Sequence, residues 1–257
     1  IRDVPLVGSN PAPKPINRPD GLTALGPGEM HWLREERRLS VEAVKAYRLA
    51  GRGPGVVALP YLLPDGALVG MKFRATAEDK YWAEAGGAKV LFGWQAIPAA
   101  ARSVVLCEGE FKALAWWDYG FPALSVPFGG GAKGKQDWIE NEFDRLARFD
   151  VIYLAMDADE PGHKAAEHIL QRLGPERCAL ISLPLPAAPG AKCINACLSH
   201  AVGRSAISAA IEAAKPRDPD ELHSAASYVD DVAEMFEQRG PEVGIPARVK
   251  IVVASVM

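Results

Sequence analysis

Glu108 and Glu110, then Asp157 and Asp159, form two acidic pairs about fifty residues apart, each placed after an apolar run. The runs are Val104-Val105-Leu106-Cys107 and Val151-Ile152-Tyr153-Leu154-Ala155-Met156. Clustered carboxylates repel one another unless a cation lies between them. Hard divalent ions, magnesium or manganese, suit an all-oxygen donor set of Glu108, Asp157 and Asp159. Two such ions about 3.5–4 Å apart can clamp the attacking and leaving oxygens of a phosphoryl transfer. Taken singly, Glu108 or Asp157 is explained as well by an acidic charge at a helix N-terminus. The matched placement of the two pairs favours the metal.

The elements that must hold these groups follow from the pattern around them. Continuous runs of Val, Ile and Leu read as strands buried on both faces of a parallel sheet. Carboxylates at the carboxyl ends of such strands lie where open α/β sheets bind their ligands. Strands are expected at 104–107, 122–126, 150–156 and 178–183, with helices near 111–118, 136–148, 162–173 and 203–214. That alternation implies right-handed crossovers. Gly109 at the first strand-to-helix turn allows a tight bend and close approach of a phosphate to the helix start. Trp116 and Trp117, inside the helix that follows, are expected in the core.

Upstream, 56–63 and 67–74 read as two strands of a hairpin turned by Pro64-Asp65-Gly66 and ending in Lys72-Phe73-Arg74. Ser40 suits the N-cap of a helix starting at Val41. Residues 1–28 hold six prolines and four glycines and read as an extended leader. Pro216-Arg217-Asp218-Pro219 marks a second boundary, followed by an amphipathic helix over 224–239 and a strand-like run over 249–256. The domains are thus expected at 29–100 and 101–215, with a leader before them and a linker over 216–257.

Composition excludes some classes. With 257 residues, 49% hydrophobic and 24% charged, the chain has the profile of a soluble protein with room for two modest domains. A net charge of -3 decides nothing about nucleic acid, because metal-holding carboxylates mask a local basic face. Cys107, Cys178, Cys193 and Cys197 form no CxxC pair and have no histidine at zinc-ligand spacing, so reduced cytoplasmic thiols are expected. No apolar stretch nears the about 20 residues that span a bilayer, so no membrane partner is expected.

These segments resemble the Toprim domain of primases, topoisomerases and some nucleases, and most of all the primase half of bacteriophage-type primase-helicases. Asp157-Ala158-Asp159-Glu160-Pro161-Gly162-His163-Lys164-Ala165 follows that family's D-x-D-x-x-G-x-x-A pattern. Gly70-Met71-Lys72-Phe73-Arg74 resembles its K-x-R strand, and Val90-Leu91-Phe92-Gly93 the phrase before its first Toprim strand. The likeness spans roughly 29–236. The implied fold is α/β, a mostly parallel central sheet flanked by helices, preceded by a smaller mixed α+β basic subdomain. The implied activity is synthesis of short RNA primers from ribonucleoside triphosphates on a single-stranded DNA template. A replicative helicase, fused or separate, is the implied partner, and the cytoplasm of a bacterial host, in phage or mobile-element replication, the implied setting. The resemblance gives Glu108 as metal ligand or base and Asp157 and Asp159 as metal ligands. It gives Lys72, Arg74 and Lys80 as contacts to triphosphate or template phosphate, and Gly109, Lys133, Lys135 and Lys164 are further expected contacts to nucleotide or nucleic acid. Lys133 and Lys135 sit in Phe128-Gly129-Gly130-Gly131-Ala132-Lys133-Gly134-Lys135, a glycine-rich loop able to cradle a phosphate but not a Walker A motif.

Two departures stand out. Where the family carries an aspartate two residues after E-G-E, this chain has Lys112. Where the family has K-D-x-N-E, it reads Lys192-Cys193-Ile194-Asn195-Ala196, with Cys197 following. A thiol is a poor ligand for magnesium. A catalytically silent single-strand-binding module that positions a helicase is therefore one alternative, and a Toprim nuclease another.

Overall fold

The computed structural model describes residues 13–127 and 137–216, organised around two four-stranded sheets. The first is antiparallel, in the order β1 (Ala50–Gly51), β2 (Val56–Leu62), β3 (Leu68–Ala75), β4 (Tyr81–Ala83). Its central hairpin turns where expected. Leu63 N–H reaches Ala67 O at 2.9 Å, the Asp65 carboxylate accepts from Ala67 N–H at 2.9 Å, and Gly66 takes φ 88°. Before this sheet come α1 (Pro27–His31), a five-residue π-helical turn at Trp32–Glu36, and α2 (Val41–Ala46). Ser40 caps α2 by accepting from Ala43 N–H at 3.0 Å. The described part of the proline-rich leader is not free of the fold: Ile16 N–H donates to Leu68 O, and Thr23 bridges Gly51.

The second sheet is wholly parallel, in the order β6 (Ala123–Ser125), β5 (Ser103–Cys107), β7 (Val151–Ala155), β8 (Cys178–Leu180). Helices α3 (Glu110–Asp118), α4 (Trp138–Leu146) and α5 (Glu160–Leu173) connect these strands in turn. Then follow α6 (Ile194–Ser199) and α7 (Arg204–Ala213). The order reverses between β5 and β7, so their carboxyl ends flank the crevice where such sheets bind ligands.

Alternation along β5 explains its two-sided burial. Val105 and Cys107 join Phe111, Leu114 and Trp116 of α3 in one apolar cluster, while Val104 and Leu106 join Ile139 of α4 and Ile169 of α5 in another. The first cluster also holds Val57, Leu59 and Tyr61 of β2, so the subdomain boundary drawn near residue 100 crosses a shared core. Trp116 is fully buried, as its helix position predicts, while Trp117 is only partly so. Two compact units divide the chain, Ile1–Arg217 and Asp218–Met257. The second unit, with the expected helix at 224–239 and run at 249–256, lies outside the described residues. No described helix is long and apolar enough to cross a membrane.

The Val90-Leu91-Phe92-Gly93 phrase has a structural role. Phe92 exchanges two backbone hydrogen bonds with Ser125, of 2.9 and 3.0 Å, and so extends the parallel sheet beyond β6. Gly93 turns away at φ 111°, where a Cβ would meet Tyr47 Cε1 at 2.7 Å and Ala123 O at 3.1 Å. Glu142 of α4 secures the same segment from a fully buried position, accepting from Leu91 N–H at 2.9 Å and Trp94 Nε1 at 3.1 Å.

Burial pushes the Glu142 carboxyl from its ordinary 4.5 up to about 7, against the opposing effect of the Leu91 amide and Arg145. The folded protein then binds more protons than the unfolded chain between those two values. This stabilising term is fully present below 4.5 and lost as pH rises through about 7. Urea melts are expected to show the wild type losing more stability than Glu142→Gln between about pH 5 and about pH 8. Identical pH slopes for the two proteins would remove this role.

Candidate functional site

Each acidic pair sits on a turn that the sequence makes tight. After β5, Gly109 takes φ 119° and ψ 135° and starts α3, a conformation that favours glycine. Its N–H donates to Ser125 Oγ on β6 at 2.9 Å, so this amide fixes the turn instead of facing a ligand. Glu110 turns inward and is 6% exposed. It accepts from the Tyr61 hydroxyl and from the Lys72 ammonium, the latter at 2.7 Å. Lys72 also donates to Pro127 O, so this β3 residue is tied to the start of α3 and the end of the β6 strand.

After β7, Asp157 is buried at 6% exposed, and Asp159 caps α5 by accepting from Gly162 N–H at 2.9 Å. Glycine is required at 162 because a Cβ there would collide with the carbonyl oxygen of Asp157 and lie 2.9 Å from its carbon and nitrogen. Two lysines converge on this turn. Lys112, from the first turn of α3, is ion-paired with Asp157 Oδ1, both side chains being largely buried. Lys192 places its ammonium 3.1 Å from Asp157 Oδ2 and 2.7 Å from Asp159 Oδ2. Its carbonyl also accepts from Ala158 N–H at 2.8 Å. The hydrogen bond from Lys192, with the Gly162 amide second, holds Asp159 below the usual carboxylate range. Asp159 first, then Asp157, raise Lys192 in return.

Asp157 and Asp159 are thus brought together, by Lys192. Glu108, at the end of the neighbouring strand, is half-buried and makes no hydrogen bond or ion pair with any described residue. Among the described residues no three His, Cys, Asp or Glu side chains are grouped to hold a metal ion. Glu108, Asp157 and Asp159 do not form the three-carboxylate cage expected from the sequence, because both Asp157 oxygens already face ammonium groups.

The other expected contacts divide. Arg74 is 5% exposed and bonds back to its own hairpin, to Ala75 O at 2.9 Å, Glu78 O and Asp79 Oδ1 at 2.9 Å, under the exposed ring of Tyr81. Lys80 is exposed with no described side-chain partner. Lys164 is exposed and pairs with Glu160 one turn away at 2.6 Å. Lys133, Lys135 and the glycine-rich loop lie outside the described residues. Cys193 is the N-cap position of α6, while burial pushes Cys197 up to about 11, keeping that thiol protonated at neutral pH. Sequence reasoning missed Lys192 and Tyr61 as members of the site.

The fold and the two acidic turns at a sheet switch point define a class. Residues 105–197 match the family model described as Toprim-like, and these residues are a Toprim domain. Similarity to known proteins extends beyond that segment. The chain is 30% identical over 176 residues to the DNA helicase/primase of Enterobacteria phage T3, covering 66% of this chain and 29% of that protein. It is 32% identical over 142 residues to the Twinkle homolog protein, chloroplastic/mitochondrial, of Arabidopsis thaliana, covering 50% of this chain and 20% of that protein. The chain thus spans less than a third of either relative. A primase domain solved with the bacteriophage T7 lagging-strand DNA polymerase, an RNA/DNA hybrid and dTTP shares the fold. Its TM-score is 0.61 at 21% identity, over 76% of this chain and 93% of that one.

Proposed function

We propose that this chain is a DNA primase core that joins ribonucleoside triphosphates into short RNA primers on single-stranded DNA, beside a replicative helicase, fused or separate. The observation that carries this reading is the unengaged carboxylate of Glu108 at the β5–β7 switch point, with Lys72, Lys112 and Lys192 gathered around the same strand ends from three segments. Phosphoryl transfer needs positioning and charge neutralisation more than covalent help from the protein. The lysines supply fixed positive charge for a triphosphate and a template backbone. Glu108 would either accept the proton of an attacking 3′-hydroxyl or be the carboxylate left open to a divalent cation, magnesium or manganese. When bound, such an ion would neutralise the phosphate group being transferred. The relationship to a phage helicase/primase supports the same reading.

A second reading rests on a specific observation. Lys112 and Lys192 compensate Asp157 and Asp159, and Cys193 stands beside them. A silent module that binds single-stranded DNA and positions a helicase would tolerate all three. Incubation with mixed-sequence single-stranded DNA, labelled ribonucleotides and magnesium or manganese decides between the two. Short labelled RNA is expected. Full DNA binding with no incorporation would overturn the primase in favour of the silent module, and degraded template would indicate a nuclease.

A further inference from the structure

Four carboxylates stand on the two acidic turns, and three of them already have ammonium partners: Glu110 with Lys72, Asp157 with Lys112 and Lys192, and Asp159 with Lys192. Lys112 is the unusual member. Side chains on a helix lean toward its N-terminus, so a lysine in the first turn of α3 is carried back over the turn before it. The structure agrees: a Cβ on Gly109 would lie 3.8 Å from both Cδ and Cε of Lys112. The stem thus runs along the E-G-E turn, and the ammonium crosses from the end of β5 to Asp157 after β7. That link is buried, at 15% and 9% exposure for the two side chains, whereas Lys192 closes the outer side at 48%.

We propose that Lys112, assisted by Lys192, is a built-in counter-ion that takes the position of a divalent cation on Asp157 and Asp159, leaving a tethered ammonium to receive a phosphate group there. Glu108, Asp157 and Asp159 with two ammonium groups keep only one net negative charge, too little to draw a dication from its hydration shell. An incoming ion would also meet the Lys112 ammonium itself, a like charge on one of its ligands. A phosphate meets the opposite situation, since a lysine on a mobile stem turns from carboxylate to phosphate without a change of protonation. This inference rests on the primase reading for the identity of the phosphate, but not for the exclusion of the ion.

The test is direct binding of Mn2+, followed by loss of the free-ion electron paramagnetic resonance signal, on wild type, Lys112→Asp and Lys112→Met. Wild type is expected to show no saturable site at micromolar Mn2+. Lys112→Asp is expected to gain one, with affinity raised by about 10-fold or more. Lys112→Met keeps the aliphatic stem and removes the charge, and is expected to fall between; it carries the test if the aspartate variant does not fold. Tight Mn2+ binding by wild type, or no gain in either folded variant, overturns the proposal. Primer synthesis is scored separately: primers from a wild type that binds Mn2+ tightly sink the counter-ion and keep the primase. Weak Mn2+ binding without primers does the reverse.

Discussion

Glu108→Ala is expected to lower primer synthesis by about 10²–10⁴-fold while leaving the thermal melt within about 0.5 kcal/mol of wild type. The asymmetry follows from where Glu108 sits. It ends a buried strand, yet its carboxylate has no partner among the described residues, so removing it leaves no orphaned donor and no apolar cavity. Its neighbour gives the contrast. Glu110, two residues on, is buried and accepts from both Tyr61 and Lys72. Glu110→Ala would strand the buried Tyr61 hydroxyl and remove one of the partners of Lys72, and is expected to cost about 1–3 kcal/mol of stability in addition to any effect on activity. Labelled-ribonucleotide incorporation with a parallel melt separates the two. If Glu108→Ala makes primers at wild-type rate, the carboxylate has no part in the chemistry, and the Proposed function loses the residue on which it rests.

How far the sequence reaches is shown by these same positions. The parallel strands were legible because a strand buried on both faces needs an unbroken apolar run, as in Val104–Cys107 and Val151–Ala155. The three long crossover helices lie within about two residues of the expected bounds. What escaped is short or held by distant partners. Strands β1 and β4 are two and three residues long, too few for a period to register, and exist by pairing with β2 and β3. Helix α6 has six residues and no side-chain cap. The leader reads as a loop because proline and glycine dominate it, although Ile16 and Thr23 bond to the antiparallel sheet. In the site, Glu108, Asp157 and Asp159 are visible as types at a spacing. The pairing of Asp157 with a lysine 45 positions away and of Asp159 with one 33 positions away leaves no local signal. Lys112 therefore registers as a missing aspartate, and only the fold shows where its charge goes.

Gly162→Ala is expected to be the most damaging glycine-to-alanine change among the described residues, and the reason ties the fold to the site. Helix α5 begins over the D-x-D turn, and Asp159 fastens it there through the Gly162 amide. At that distance a methyl on residue 162 overlaps the carbonyl of Asp157, and the obstacle is backbone, which cannot swing aside as a side chain would. Either the first turn of α5 lifts, losing the cap, or the Asp157 segment shifts and breaks the bonds of Ala158 and Asp157 to Lys192. Overpacking together with a lost cap costs about 3 kcal/mol. In a unit of this size that is a fall of roughly 6–12 °C in Tm. Gly28→Ala is the control, since a Cβ there meets nothing within 4 Å and alanine is the better helix former; its Tm is expected to hold or rise slightly. A Gly162→Ala protein that melts with wild type would mean that the α5 turn is looser than this packing requires. The glycine of D-x-D-x-x-G would then owe its place to a ligand's approach instead of to Asp157.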